Sequence, residues 1–310
     1  MNVLHISYPL TDNYLPSVIA IGFFDGIHIG HQMVISKACS VAAERKLPCA
    51  VMTFDPHPKT VTGEIAKIEQ ITPLDSKLQQ LSALNIDICY VVNFTKEFAG
   101  LTPKEFIEDF LMRLKPAGVV VGFDFTFGKK GEGTVKELLN FSAGRFTCDV
   151  VEPHFDHIGK ISSTRVRDAL LTGRVDEASQ LLGRNYSFSG KVIHGEKRGR
   201  TIGFPTANLE LSEDYLPIKR GVYLVKVTIL DSHYNGVMNV GYKPTFALGQ
   251  TVTYEIFLLD FNHDIYGQII QVELVDFLRD EVKFANIQEL KQQISKDVQF
   301  AQKRVGVKKG

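Results

Sequence analysis

No apolar run in this 310-residue chain approaches the roughly 20 residues that a membrane-spanning helix needs, so a membrane partner is not expected. Charge of one sign is equally missing. Thirty-five Lys and Arg balance 35 Asp and Glu, which leaves zero net charge and a near-neutral pI. Without a basic excess, nucleic acid and anionic membrane surfaces are excluded as partners held by bulk electrostatics. Cysteine is scarce. The four cysteines, Cys39, Cys49, Cys89 and Cys148, lie in apolar surroundings without metal-like spacing, and they read as reduced core thiols. Residues 1–5 do not begin a basic stretch followed by a long apolar one, so no signal peptide is expected and a cytoplasmic location follows. The length predicts two domains at about 150 residues each.

What is present falls into two rhythms. In the first half, residues 18–23, 49–54, 86–92, 119–122 and 146–151 read as buried strands. Residues 31–46, 76–84, 103–114 and 134–141 read as the helices between them. Strands alternating with helices predict an α/β, doubly wound parallel sheet, with ligands beyond the carboxyl ends of its strands. Two helical stretches follow, at 163–171 and 175–182. After Gly183 the pattern changes. Residues 186–193, 222–230, 237–240, 251–259 and 269–277 are rich in β-branched and aromatic residues, with turns such as Asn235-Gly236 and Tyr266-Gly267 between them. That predicts an antiparallel β-barrel or sandwich, closed by a helix over 287–304. The expected domains are 1–183 and 184–310.

His28-Ile29-Gly30-His31 lies between an apolar run and a helical stretch. A strand-to-helix turn gathers backbone N–H groups and the positive end of a helix dipole, which suits a phosphate. Gly30 permits close backbone approach, and imidazole N–H groups stabilise developing oxyanion charge. Taken alone, the motif fits an ordinary turn equally well. Ile161-Ser162-Ser163-Thr164-Arg165-Val166-Arg167 places hydroxyls at helix-capping positions with arginines behind them. It is either a polyphosphate cradle or a capped helix with solvated arginines. Asp55-Pro56-His57-Pro58 and Phe123-Asp124-Phe125 follow predicted strands at the same sheet edge. Convergence of these stretches on one edge favours chemistry at the α-phosphate of ATP.

In the second half, glycines and basic residues over 195–203 precede Pro205-Thr206-Ala207-Asn208. Residues two apart on an extended segment face the same way. The hydroxyl of Thr206 and the amide oxygen of Asn208 are hard donors suited to Mg²⁺, although a plain turn before a strand accounts for them as well. Glu255, in an apolar strand, either faces solvent by alternation or is poised in a pocket.

The order of these motifs resembles the bacterial bifunctional riboflavin kinase/FMN adenylyltransferases, the prokaryotic FAD synthetases. The resemblance rests on Gly22-x-Phe24-Asp25-Gly26-x-His28-x-Gly30-His31, Thr53–Pro58, Val121–Gly128 and Ile161–Arg167 in the first half. In the second it rests on Pro205–Asn208, Gly221-Val222-Tyr223, Asn239–Phe246, Glu255 with Leu259-Asp260-Phe261, and Tyr266-Gly267. It implies a nucleotidyltransferase domain followed by a riboflavin kinase barrel, with ATP, riboflavin, FMN and FAD as substrates or products and Mg²⁺ as cofactor. His28 and His31 are then catalytic in adenylyl transfer. Gly22, Phe24, Asp25, Gly30, Ser162, Ser163, Thr164, Arg165 and Arg167 hold ATP, and Asp55, His57 and Asp124 hold FMN. In the kinase, Gly199, Gly203, Pro205, Thr206 and Asn208 hold ATP, and Thr206 and Asn208 also ligate the metal. Glu255 is the base, and Arg279 and Phe284 lie on the flavin side. The implied assembly is a monomer or weak homo-oligomer. The histidine motif is also similar to that of class I aminoacyl-tRNA synthetases, but their lysine-rich loop and tRNA-binding domain are not evident here. Phe257 stands where many relatives of the first family carry histidine.

Overall fold

The structure, a computed structural model, describes residues 1–66, 68–195, 203–244 and 250–307. The chain forms two compact units, Met1–Ser163 and Thr164–Gly310.

The elements of the first unit are β1 (Asn2–Ile6), β2 (Ser17–Ile21), α1 (Ile29–Arg45), β3 (Cys49–Asp55), α2 (Pro58–Val61), α3 (Leu74–Ser82), β4 (Ile88–Asn93), α4 (Lys96–Ala99), α5 (Pro103–Glu105), β5 (Pro116–Gly122), β6 (Thr126–Phe127), β7 (Gly133–Thr134), α6 (Val135–Ser142) and β8 (Thr147–Val151). Six strands make a parallel sheet in the order β1-β4-β3-β2-β5-β8. Every residue of β2 is buried, because both faces of the sheet are covered. Ile19 and Ile21 join a phenylalanine-rich core on one side, while Val18 and Ala20 pack with Val34, Ile35 and Ala38 of α1 on the other. Strand order reverses between β2 and β5, and the crevice beyond their carboxyl ends is where such sheets bind ligands.

The parallel sheet matches the expectation from sequence. An additional edge strand, β1, pairs with β4. The helix expected over 103–114 is broken into α5 and then one π-helical and one 3₁₀ turn. The cysteine reading needs correction. Packing of α1 on β3 brings the Cα atoms of Cys39 and Cys49 within 5.0 Å, and the two are joined as a disulfide. Cys89 and Cys148 are free thiols, and burial pushes them up to about 12 and about 11.

The second unit holds α7 (Ser163–Thr172, whose first residue belongs to the first unit), α8 (Val175–Leu182), β9 (Ser187–Ile193), β10 (Ala207–Leu211), β11 (Gly221–Ile229), β12 (Ser232–Pro244), β13 (Gln250–Leu258), β14 (Ile269–Arg279) and α9 (Ile287–Val307). The six strands close into an antiparallel barrel, β10-β13-β12-β11-β14-β9, which leaves no free edge. Alternation decides what fills it. Tyr223, Val225, Met238, Tyr254 and Ile256 are buried in the interior, while Val222, Leu224, Val237 and Phe257 point outward and pack under Val298 and Ala301 of α9.

Candidate active sites

In the first unit the turn after β2 is tight. Phe24, Gly26 and Ile27 all have positive φ (55°, 85° and 43°). Phe24 is 2 % exposed, and its ring lies on Gly22, where a Cβ would come within 2.9 Å of it. Glycine at 22 is therefore a packing requirement. The Asp25 carboxylate, 7 % exposed, accepts the Thr72 N–H at 3.0 Å. The Asp25 carbonyl accepts the Ser163 hydroxyl at 2.8 Å. The second bond holds Ser163 against the turn.

His28 is the N-cap of α1, with its Nδ1 accepting the His31 N–H at 3.3 Å. Its ring stacks on that of His31, with centroids 3.6 Å apart. Gly30 leaves room for this, since a Cβ there would sit 3.2 Å from the His28 ring and 4.0 Å from the Ile161 carbonyl. The His31 Nδ1 is buried and has no hydrogen-bond partner among the described residues. Burial first, then His28, then Lys77 hold His31 well below the ordinary histidine range. It is a neutral imidazole at pH 7, able to donate one N–H.

Asp55 ends β3 and His57 caps α2, with its Nδ1 accepting the Lys59 N–H at 3.1 Å. The His57 ring meets Phe23 edge-on at 4.2 Å. Asp124 is exposed and pairs with Lys160 at 2.8 Å. Ser162 is half-buried just ahead of α7. On that helix Thr164 is exposed, Arg167 is half-buried, and the Arg165 guanidinium is drawn to Glu177 at 3.0 Å.

Sequence reasoning missed an aromatic cavity of about 650 Å³ at this edge. It is lined by Phe54 of β3, Pro58 of α2, Phe94 after β4, Phe98, Phe106 and Phe125, among others. Phe125 and Phe127 stack at 5.8 Å, and Phe94 meets Phe98 edge-on at 5.4 Å.

In the second unit three polar residues share one row across three strands. Asn208 of β10 and Asn239 of β12 both stand opposite Glu255 of β13. The row is on the outer face, because Tyr254 and Ile256 on either side of Glu255 are buried. Glu255 itself is half-buried. A Cβ on Gly195 would sit 2.7 Å from the Asn208 Oδ1 and closer still to the rest of its amide, so the backbone there lies directly on that side chain. Pro205, Thr206 and Ala207 line a cavity of about 330 Å³ with Phe261, His263 and Tyr266. Gly203 has φ 88°. Arg279 is committed to α9, since its guanidinium makes three hydrogen bonds of 2.7–3.1 Å to Asp297, itself 6 % exposed. Phe284 is half-buried beyond β14. A second cavity, of about 690 Å³, is lined by Lys219, Arg220, Tyr242 and residues 280–283. Gly199 lies outside the described residues, as do Lys197, Arg198, Arg200, Thr245 and Phe246.

The FAD synthetase family matches residues 11–165 and the riboflavin kinase family matches residues 182–305. Curated bifunctional riboflavin kinase/FMN adenylyltransferases align almost end to end. That of Bacillus subtilis is 45 % identical over 307 residues, covering 97 % of each chain. That of Listeria monocytogenes is 43 % identical over 303 residues, covering 96 % of each. The chain belongs to the bifunctional riboflavin kinase/FMN adenylyltransferases. The Escherichia coli K12 member is 38 % identical over 296 residues, covering 94 % of each chain. A crystal structure described as a macrolide-efflux protein from Streptococcus pneumoniae superposes with a TM-score of 0.88 at 35 % identity, covering 97 % of this chain and 99 % of that one. Among the described residues no helix is long and apolar enough to cross a membrane.

This bifunctional enzyme phosphorylates riboflavin to FMN and adenylylates FMN to FAD, using ATP in both steps. The buried neutral His31 gives it a pH-dependent stability. Below about pH 6.5 the unfolded chain binds a proton at this residue that the folded chain does not. Stability is therefore full above that pH, and it falls by about 1.4 kcal/mol per pH unit below it. Urea unfolding at pH 7.5 and 5.5 measures the loss, and His31→Gln should remove that share of it.

Proposed function

We propose that adenylyl transfer takes place at the turn of His28-Ile29-Gly30-His31, with the flavin ring of FMN in the neighbouring aromatic cavity. The observation that carries this reading is the cavity itself: a slot lined with phenylalanines that opens beside the residues after β3 and β5. An isoalloxazine is flat, aromatic and largely apolar, and it gains from edge and face contacts with such rings. The FMN phosphate then attacks the α-phosphorus of ATP. The bond to the β-phosphate oxygen breaks and pyrophosphate leaves. A phosphate monoester is already largely ionised at neutral pH, so no general base is needed. Positioning and charge stabilisation suffice. His28 and His31 contribute N–H groups, and Ser162 and Ser163 offer hydroxyls to the triphosphate.

In the kinase half, the row Asn208–Glu255–Asn239 supports a site on the outer face of the barrel, with ATP in the cavity lined by Pro205, Thr206 and Tyr266. Glu255 accepts the proton of the ribityl 5′-hydroxyl as that oxygen attacks the γ-phosphorus and ADP leaves. Thr206 and Asn208 offer hard oxygens on the same side of an extended segment, a donor set that fits Mg²⁺. Bound there, the ion neutralises phosphate charge. Riboflavin is assigned to the cavity of Lys219, Tyr242 and residues 280–283, next to Arg279 and Phe284 in sequence. Arg279 acts by tying α9 to β14. Gly183 in a left-handed conformation ends α8, which supports a module boundary at 183/184. The enzyme is assigned to the cytoplasm, as a monomer or weak homo-oligomer.

Phe125→Ala tests the flavin slot. Losing one aromatic contact of about 0.5–1.5 kcal/mol should raise KM for FMN up to about tenfold. KM for riboflavin in the kinase reaction should not change. A raised KM for ATP with an unchanged KM for FMN would assign the cavity to adenine instead.

A further inference from the structure

Lys77, on α3, is 1 % exposed. An ammonium is retained in such a place only where fixed acceptors replace its water. Its Nζ donates to the Phe23 carbonyl at 2.9 Å and lies 4.0 Å from the centroid of the Phe23 ring. The same carbonyl accepts from the Thr53 hydroxyl at 3.0 Å. Phe23 in turn meets His57 edge-on at 4.2 Å, and Phe24 meets His31 edge-on at 5.4 Å. Three stretches far apart in sequence, α3, the end of β3 and the turn after β2, therefore meet at one buried cation.

We propose that Lys77 is a positioning residue for adenylyl transfer, a buried cation that fixes the carbonyl and ring of Phe23 and, through them, the turn that carries His28 and His31. The proposal rests on the reading that these histidines serve FAD formation. Lys77 is too buried to touch substrate, so its effect passes through the turn. Its charge also faces His31, together with His28 from the same turn. Asp25, the acidic group of the turn, has its carboxylate on the Thr72 N–H. Removing the Lys77 charge therefore makes His31 easier to protonate.

Lys77→Met keeps the length and burial of the side chain and removes both charge and donor. The expected result is a fall in kcat for FAD formation from supplied FMN of at least tenfold, with KM for FMN and ATP changed less than threefold. The His31 ring, followed by NMR, should titrate at higher pH than in the wild type. Lys77→Arg should recover both properties in part. If Lys77→Met does not fold, Lys77→Gln carries the same two measurements. Wild-type kcat together with a wild-type His31 titration in the folded variant would overturn the proposal. So would Lys77→Arg behaving like Lys77→Met. The underlying reading fails separately, if replacing both histidines leaves FAD formation intact.

Discussion

The double variant His28→Ala, His31→Ala is expected to lose FAD formation by a factor of about 10³ or more while riboflavin phosphorylation continues at close to the wild-type rate. The size follows from the kind of interaction removed. A preorganised donor aimed at developing oxyanion charge contributes about 10²–10³ in rate. Two donors acting on one phosphate are not additive. The two rings stack at 3.6 Å, and the His28 Nδ1 caps the helix that carries His31. Each single variant should therefore approach the double one. Selectivity is expected because the residues proposed for the kinase, Asn208, Glu255 and Asn239, all lie on strands of the barrel. Chromatography of reactions started from riboflavin, ATP and Mg²⁺ distinguishes the outcomes. FMN should accumulate without FAD. Loss of both products from a folded variant would show that the sites are not independent.

The reciprocal variant, Glu255→Gln, should form FAD from supplied FMN at the wild-type rate but make FMN from riboflavin about 10²–10⁴-fold more slowly, the range for removing a positioned general base. Glutamine keeps the shape and hydrogen-bonding reach of the side chain. The row with Asn208 and Asn239 therefore survives, and KM for ATP should change little. A large rise in KM with kcat preserved would mean that Glu255 binds substrate rather than moving a proton. Fluorescence of the flavin products and ADP release give kcat and KM in one assay.

What could be read from the sequence was whatever is local. β2 stood out because burial on both faces demands an unbroken apolar run. The His28–His31 turn stood out only together with the stretches that share its sheet edge, since the motif alone fits an ordinary turn equally well. Strand β1, half-exposed along much of its length, carries little pattern, and the short β10 is half polar. The phenylalanines of the aromatic cavity are spread from Phe54 to Phe127, and each reads singly as core. Lys77 reads as a surface residue until α3 folds it under the turn. The bond from the Thr72 amide to the Asp25 carboxylate spans 47 residues, so no local pattern announces it. The Cys39–Cys49 pair likewise depends on how α1 lies against β3.

The row across β10, β13 and β12 has a consequence for how this enzyme can change over generations. Register in a sheet has a period of two, so one residue added to or removed from a strand turns every later side chain to the other face. An insertion ahead of Glu255 would turn Tyr254 to the outer face and send the carboxylate into the barrel. Substitutions along these strands can be absorbed one at a time, whereas a change in length by a single codon cannot. Variation in length should collect in the connections, where a shift in number leaves the faces of the strands as they are.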